Sequence, residues 1–171
     1  MLRRMSRLFI ALLLAAVLGA CSRTSSDPAL AKNPAPLTDC SDDAFVSILG
    51  GGKAVVCTGE NADPQVRACL EAPFTRGAPF AHVVRRPGQP VLITVRTPEQ
   101  RVFQVRRFAE PGGERVDLFS CRPAPEMPQD ELPFFCPLPG DNVAPVQRGK
   151  ACDVLERARK LRRSAAERAA K

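Results

Sequence analysis

The chain has 171 residues, 44% apolar and 25% charged, with 25 Lys+Arg against 18 Asp+Glu, 17 Pro, 7 Cys, 1 His and no Tyr or Trp. This fits one core-forming domain and excludes a disordered chain, a collagen-like chain and a coiled coil. No apolar run reaches the roughly 18 to 20 residues that span a bilayer as a helix, which excludes a polytopic membrane protein.

The chain opens with the basic stretch Met1 to Arg7, the apolar run Leu8 to Leu18, and Gly19-Ala20-Cys21. That order is an export signal over residues 1–20. Leu18-Gly19-Ala20-Cys21 resembles the lipobox of bacterial lipoproteins. The resemblance implies lipidation at the Cys21 thiol, cleavage just before it, and a mature chain anchored by several acyl chains, which hold to a membrane where a single chain binds marginally. By the sorting rule of that family, Ser22 in place of Asp implies the outer membrane. Residues 21–38, rich in Ser, Pro and Ala, read as a flexible to extended tether.

Setting Cys21 aside leaves six cysteines, Cys40, Cys57, Cys69, Cys121, Cys136 and Cys152, an even set in an exported chain. Three disulfides are expected, and no CxxC pair points to a redox or zinc motif. Six cysteines allow fifteen connectivities. The positions of the expected elements suggest Cys40 to Cys57, Cys69 to Cys121 and Cys136 to Cys152.

The globular part is expected over residues 39–152. Phe45, Ile48 and Leu49 predict a short helix from Asp42, stopped by Gly50-Gly51-Gly52. Asp39, Asp42 and Asp43 suit the N-terminal end of that helix. Lys53 to Cys57 is a brief strand, and Asp63-Pro64 starts a second helix running to about Ala72. Strands are predicted at Phe80 to Arg86, Val91 to Arg96, Arg101 to Phe108 and Arg115 to Cys121, with turn residues between them. The predicted class is α+β, an antiparallel sheet with one or two helices on one side and disulfide staples. A β-sandwich is the alternative if the first helix is misread.

Residues 122–149 hold seven prolines and read as a long loop around Phe134-Phe135-Cys136. From Lys150 an amphipathic helix is predicted, with a basic part over residues 153–171. Residues 148–171 carry nine basic and three acidic side chains, so the excess positive charge sits there. Arg157, Arg159, Lys160, Arg162, Arg163 and Arg168 are candidate anion-binding residues. Peptidoglycan, anionic lipid or an envelope protein would be their partner, since nucleic acid is a poor partner for an exported chain. A solvated helix face is the competing reading. Arg85, Arg86, Arg96, Arg101, Arg106, Arg107 and Arg115 alternate with Glu99, Glu110, Glu114 and Asp117, the pattern of cross-strand pairs on a solvent face.

Catalytic signals are sparse. His82 is the single histidine, no GxSxG elbow accompanies it, and too few ligands remain for zinc. Gly50-Gly51-Gly52-Lys53 lacks the Ser or Thr of a phosphate loop. No cofactor is expected. The function read from these residues is a non-catalytic binding or structural module of the cell envelope, anchored through Cys21. The alternatives are a small enzyme using His82 and a hydrolase-inhibitor lipoprotein. The segment from Cys69 through Gly77-Ala78-Pro79-Phe80 to Cys121 also resembles small exported bacterial domains of unknown function, which implies no activity.

Overall fold

The computed structural model describes residues 27, 30–31, 34–126, 132–138 and 141–171; the export signal, Cys21 and Ser22 lie outside them. The elements follow as α1 (Asp42–Gly50), β1 (Val55–Thr58), α2 (Pro64–Thr75), β2 (Phe80–Val84), β3 (Val91–Arg96), β4 (Val102–Glu110), β5 (Gly113–Pro123), β6 (Phe134–Phe135), β7 (Gln147–Gly149) and α3 (Ala151–Ala169). The fold is α+β, built on a seven-stranded sheet in the order β1-β2-β3-β4-β5-β6, with β7 also on β5. All pairs are antiparallel except β1 with β2. That pair is parallel because α2 carries the chain back between them, as a crossover must. No helix among the described residues is long and apolar enough to cross a membrane.

Local chemistry sets the helix ends. The Ser41 hydroxyl caps α1 by accepting from the Ala44 amide at 3.3 Å, with Asp42 and Asp43 in the first turn. Gly51 ends it in the left-handed region at φ 68°. A side chain there would also collide with Arg162 and Asp27, since a β-carbon would lie 2.8 Å from an atom of each. Asp63 caps α2 through the Gln65 amide at 2.8 Å, with Pro64 at the first position. The helix passes the expected stop and runs to Thr75, because Pro73 lacks only its own N–H while residues after it still find carbonyls one turn back.

Period two divides the sheet into two faces. On the first face, Ala81, Val83, Ile93, Val95, Phe103, Val105, Val116 and Leu118 meet Phe45, Ile48 and Leu49 of α1 and Val154, Leu155 and Ala158 of α3. Phe45, Leu49 and Leu155 are completely buried, each contributing roughly 1.5 to 3 kcal/mol. The second face carries α2, whose Val66 and Leu70 pack on Cys57 and Phe80, with Leu132 and Phe134 beside them. Helices therefore lie on both faces and not on one.

The disulfides are Cys40–Cys152, Cys57–Cys69 and Cys121–Cys136, so none of the three expected pairings forms. The sheet explains each correction. Cys69 on α2 lies over β1, and β5 with Cys121 is four strands away, about 19 Å at the usual spacing. A disulfide needs α-carbons closer than about 7 Å. Cys40 and Cys152 belong to the first-face helices, whereas Cys57 and Cys136 belong to the second face. The sheet therefore stands between the partners expected for 40 with 57 and for 136 with 152.

The expected tether is also anchored where it is described. Asp27 pairs with Arg162, the Ala31 carbonyl accepts from Arg163 at 2.9 Å, the Ala35 carbonyl accepts from Arg159 at 2.9 Å, and Leu37 packs on the core. Asp27, Ala31 and Ala35, the strap, thus each touch an arginine of α3.

Candidate functional site

Alternation along the strands places a polar stripe on the second face. His82, Thr94, Gln104 and Phe119 stand abreast on β2 to β5, and Leu92, Arg106, Asp117 and Arg148 form the next row on β3, β4, β5 and β7. Such residues read as a solvent face, yet His82, Thr94, Gln104, Arg106 and Asp117 are all buried. Segment 132–138, part of the expected proline-rich loop, lies over His82 through Phe134 and over Arg106 through the Pro137 carbonyl, while Arg148 lies against Asp117. That segment pairs with β5 through β6, with Phe134 opposite Pro123 and Phe135 opposite Arg122. The Cys121–Cys136 disulfide fastens it.

Between this segment and the sheet lies a groove of about 580 Å³. Gln104 and Arg106 form its floor, and Leu92, Leu132, Phe134, Phe135 and Leu138 give apolar walls. Arg106 is 6% exposed and stacks its guanidinium over the Phe119 ring at 4.2 Å. Its Nε donates to Gln104 Oε1 at 2.7 Å, and one terminal nitrogen, Nη2, donates to the Pro137 carbonyl. Gln104 in turn donates to Thr94 Oγ1 at 3.3 Å.

Arg106 forms no salt bridge among the described residues. The carboxylate opposite it, Asp117, is taken by Arg148 at 2.8 and 3.0 Å, with Arg115 at 3.6 Å. Burial pulls the Arg106 guanidinium below its ordinary value, with Asp117 and Asp141 pulling the other way. An arginine remains charged despite such a shift. Among the described residues the other terminal nitrogen, Nη1, has no acceptor and is not one of the fully buried unpartnered nitrogens, and Arg106 lines the groove.

A second cleft of the same volume lies beside α1 and holds Arg85 and Arg107. There the cations are already satisfied, Arg107 by Asp42 at 2.7 Å and Glu114 at 2.6 Å, and Arg85 by Asp42 at 2.8 Å. Arg107–Glu114 and Arg115–Glu110 are cross-strand pairs of the kind the sequence pattern suggests, whereas the partners Asp42 and Glu60 of Arg85, Arg86 and Arg107 lie off those strands. Arg96, Arg101 and Arg106 have no carboxylate partner among the described residues, and of these Arg106 alone is buried.

The six cations expected on the C-terminal helix do not make one anion-binding face. Arg162 is 1% exposed and is held by Asp27, by Glu99 at 3.4 Å and by the Ile48 carbonyl at 2.6 Å. Arg159 is buried, paired with Glu156 and bonded to Ala35. Arg163 is half-buried against the strap. Helical spacing puts Arg159 and Arg162 one turn from Leu155 and Ala158, on the arc that faces the protein. Arg157, Lys160 and Arg168 remain exposed.

His82 is 2% exposed, with Nε2 at 3.0 Å from the Gly59 carbonyl and its ring 6.3 Å from that of Phe134. Burial holds its pKa below the ordinary 6.5, while the Gly59 hydrogen bond and Glu60 act in the opposite direction. The unfolded chain therefore binds this proton more readily than the folded one. The stability of the neutral ring is complete above pH 6.5 and is lost as pH falls below it toward the folded value. His82→Gln should flatten the fall of the urea midpoint as pH drops below the ordinary histidine value of 6.5. An unchanged slope would refute this assignment. Among the described residues no cluster of His, Cys, Asp and Glu could hold a metal ion.

Fold and site together define a disulfide-stapled α+β domain with one buried arginine opening into an apolar groove. No protein family, curated protein or solved structure matches the chain.

Proposed function

We propose that the protein is an exported, lipid-anchored, non-catalytic binding module of the cell envelope, and that it takes its ligand in the groove over Arg106. The observation that carries the reading is Arg106 itself: a buried cation without a salt bridge, with one terminal nitrogen that takes no acceptor among the described residues, between apolar walls. Ligand sites have this form, mostly apolar with a few placed polar groups, and about 580 Å³ lies within their usual range. A peptidoglycan fragment, an anionic lipid or a segment of an envelope protein would each present a suitable group. The single imidazole, by contrast, is turned to a backbone carbonyl beneath Phe134. That favours binding over catalysis.

Export and anchoring draw support from the cysteines. All six in the domain are paired, which suits an oxidising compartment and leaves Cys21 as the remaining thiol for a lipid. Cells fed labelled palmitate should incorporate it into the wild-type chain and not into Cys21→Ala, which should also keep its leader. Equal labelling of the two, or none in either, would remove the anchor from the proposal. For the envelope ligand, oxidised protein should sediment with isolated envelopes, and Leu138→Ser should weaken that binding several-fold. Sedimentation that is indifferent to Leu138 would separate envelope binding from the groove.

A further inference from the structure

The geometry points to a ligand with one anionic head, a carboxylate or a phosphate monoester, on an unbranched apolar body. This rests on the reading of the groove as the binding site. Both polar side chains of the floor are bonded to the protein. Gln104 spends its oxygen on Arg106 and its nitrogen on Thr94, while Arg106 spends Nε on Gln104 and one terminal nitrogen on Pro137. Arg106 Nη1 takes no acceptor among the described residues, and as the charged donor of this lining it suits an anionic oxygen.

Polyanions are a poor match, since they require several accessible cations and, among the described residues, Arg106 is the only arginine or lysine lining this groove. A sugar is poorly matched as well, because it needs many donors and acceptors and, beside Gln104 and Arg106, Asn61 is the one other polar side chain among the described lining residues. The walls are set for an aliphatic chain. Phe135 is 48% exposed and Leu138 69% exposed, large apolar side chains left open at the mouth, with Leu92 and Leu132 deeper in. An alkyl chain lying along them would cover that surface while its head reaches Arg106. Phe119 stacked on the guanidinium holds the cation in place without neutralising it.

The test uses the oxidised full chain in nanodiscs of neutral lipid and, as probe, a photoreactive dodecanoate. After irradiation the adducts should map to peptides containing Phe135 or Leu138. Unlabelled dodecanoate or dodecyl phosphate should suppress them, and their relative potency identifies the preferred head. Dodecanol, with the same chain and no charge, should compete about tenfold less well or worse, the scale of one charge-assisted hydrogen bond. Arg106→Gln should abolish the difference between dodecanoate and dodecanol. Should that buried substitution unfold the chain, Leu138→Ser, at an exposed position, should still lower labelling several-fold. Equal competition by dodecanol, or adducts lying away from residues 132–138, would overturn the inference. Either result leaves the palmitate experiment on Cys21 unaffected, so failure of the ligand assignment and failure of the anchor are told apart.

Discussion

Replacing Cys40 and Cys152 together by serine is expected to remove about 4 to 5 kcal/mol of stability, more than the loss of either other disulfide. The two residues are 112 apart in sequence, against 12 for Cys57–Cys69 and 15 for Cys121–Cys136. A cross-link restricts the unfolded chain more as the loop it closes grows, about 4.7 kcal/mol for 100 residues and about 3 for 15. The double variant should show a lower urea midpoint and a steeper dependence on urea, because its unfolded state is less compact. With net stabilities of about 5 to 15 kcal/mol for domains in general, such a loss could leave the chain largely unfolded at physiological temperature. A cost no larger than that of removing Cys57–Cys69 would show that loop length does not govern it.

The second large effect is expected at Arg162. Its guanidinium lies between α3, the end of α1 and the strap, bonded to the Ile48 carbonyl and paired with Asp27 and Glu99. Burial opposes its charge, but the two carboxylates outweigh burial and raise its pKa above the ordinary value. Arg162→Met should cost about 3 to 5 kcal/mol, because it strips the Ile48 carbonyl of its donor and leaves two carboxylates without their cation. Neutralising them in the same background, with Asp27→Asn and Glu99→Gln, should recover part of that loss. Chemical denaturation of the three proteins measures both effects. A single variant within about 1 kcal/mol of wild type would show the cluster to be solvated and dispensable.

The sequence carried the strands better than their surroundings. β3 has the expected bounds, and β4 and β5 extend past theirs because the hairpin keeps pairing to Glu110 and Gly113. β6 and β7, two and three residues long, have no period to detect and exist because β5 offers them an edge. Alternation along β5 puts Phe119 and Cys121 on one face and Val116 and Leu118 on the other, as the register shows. It could not say which segment would lie over them, and both the disulfide pairing and the groove depend on that.

Arg106 was hidden for the same reason. On a strand its polar phase with Thr94 and Gln104 reads as solvent, and its neighbours Arg107 and Arg115 do find exposed carboxylates. One signal was present, since Phe134 and Phe135 sit among prolines that cannot build a core of their own and so must be laid against an existing surface. Arg159 and Arg162 show the converse. Their charge suggested solvent, but their place on the helix put them inside, where Glu156, Asp27 and Glu99 made burial tolerable.

The bond between Cys40 and Cys152 also gives the domain the topology of a closed ring. It joins the residue just before the first helix to one in the opening turn of the last, so everything between lies on a single covalent circuit, with two smaller loops inside it. One backbone cut in that circuit opens the ring without releasing a piece. A single cut anywhere between Cys121 and Cys136 leaves both halves attached through the bond between those two cysteines. The fragments separate after reduction, so the domain can be nicked and remain a single molecule for as long as its surroundings stay oxidising.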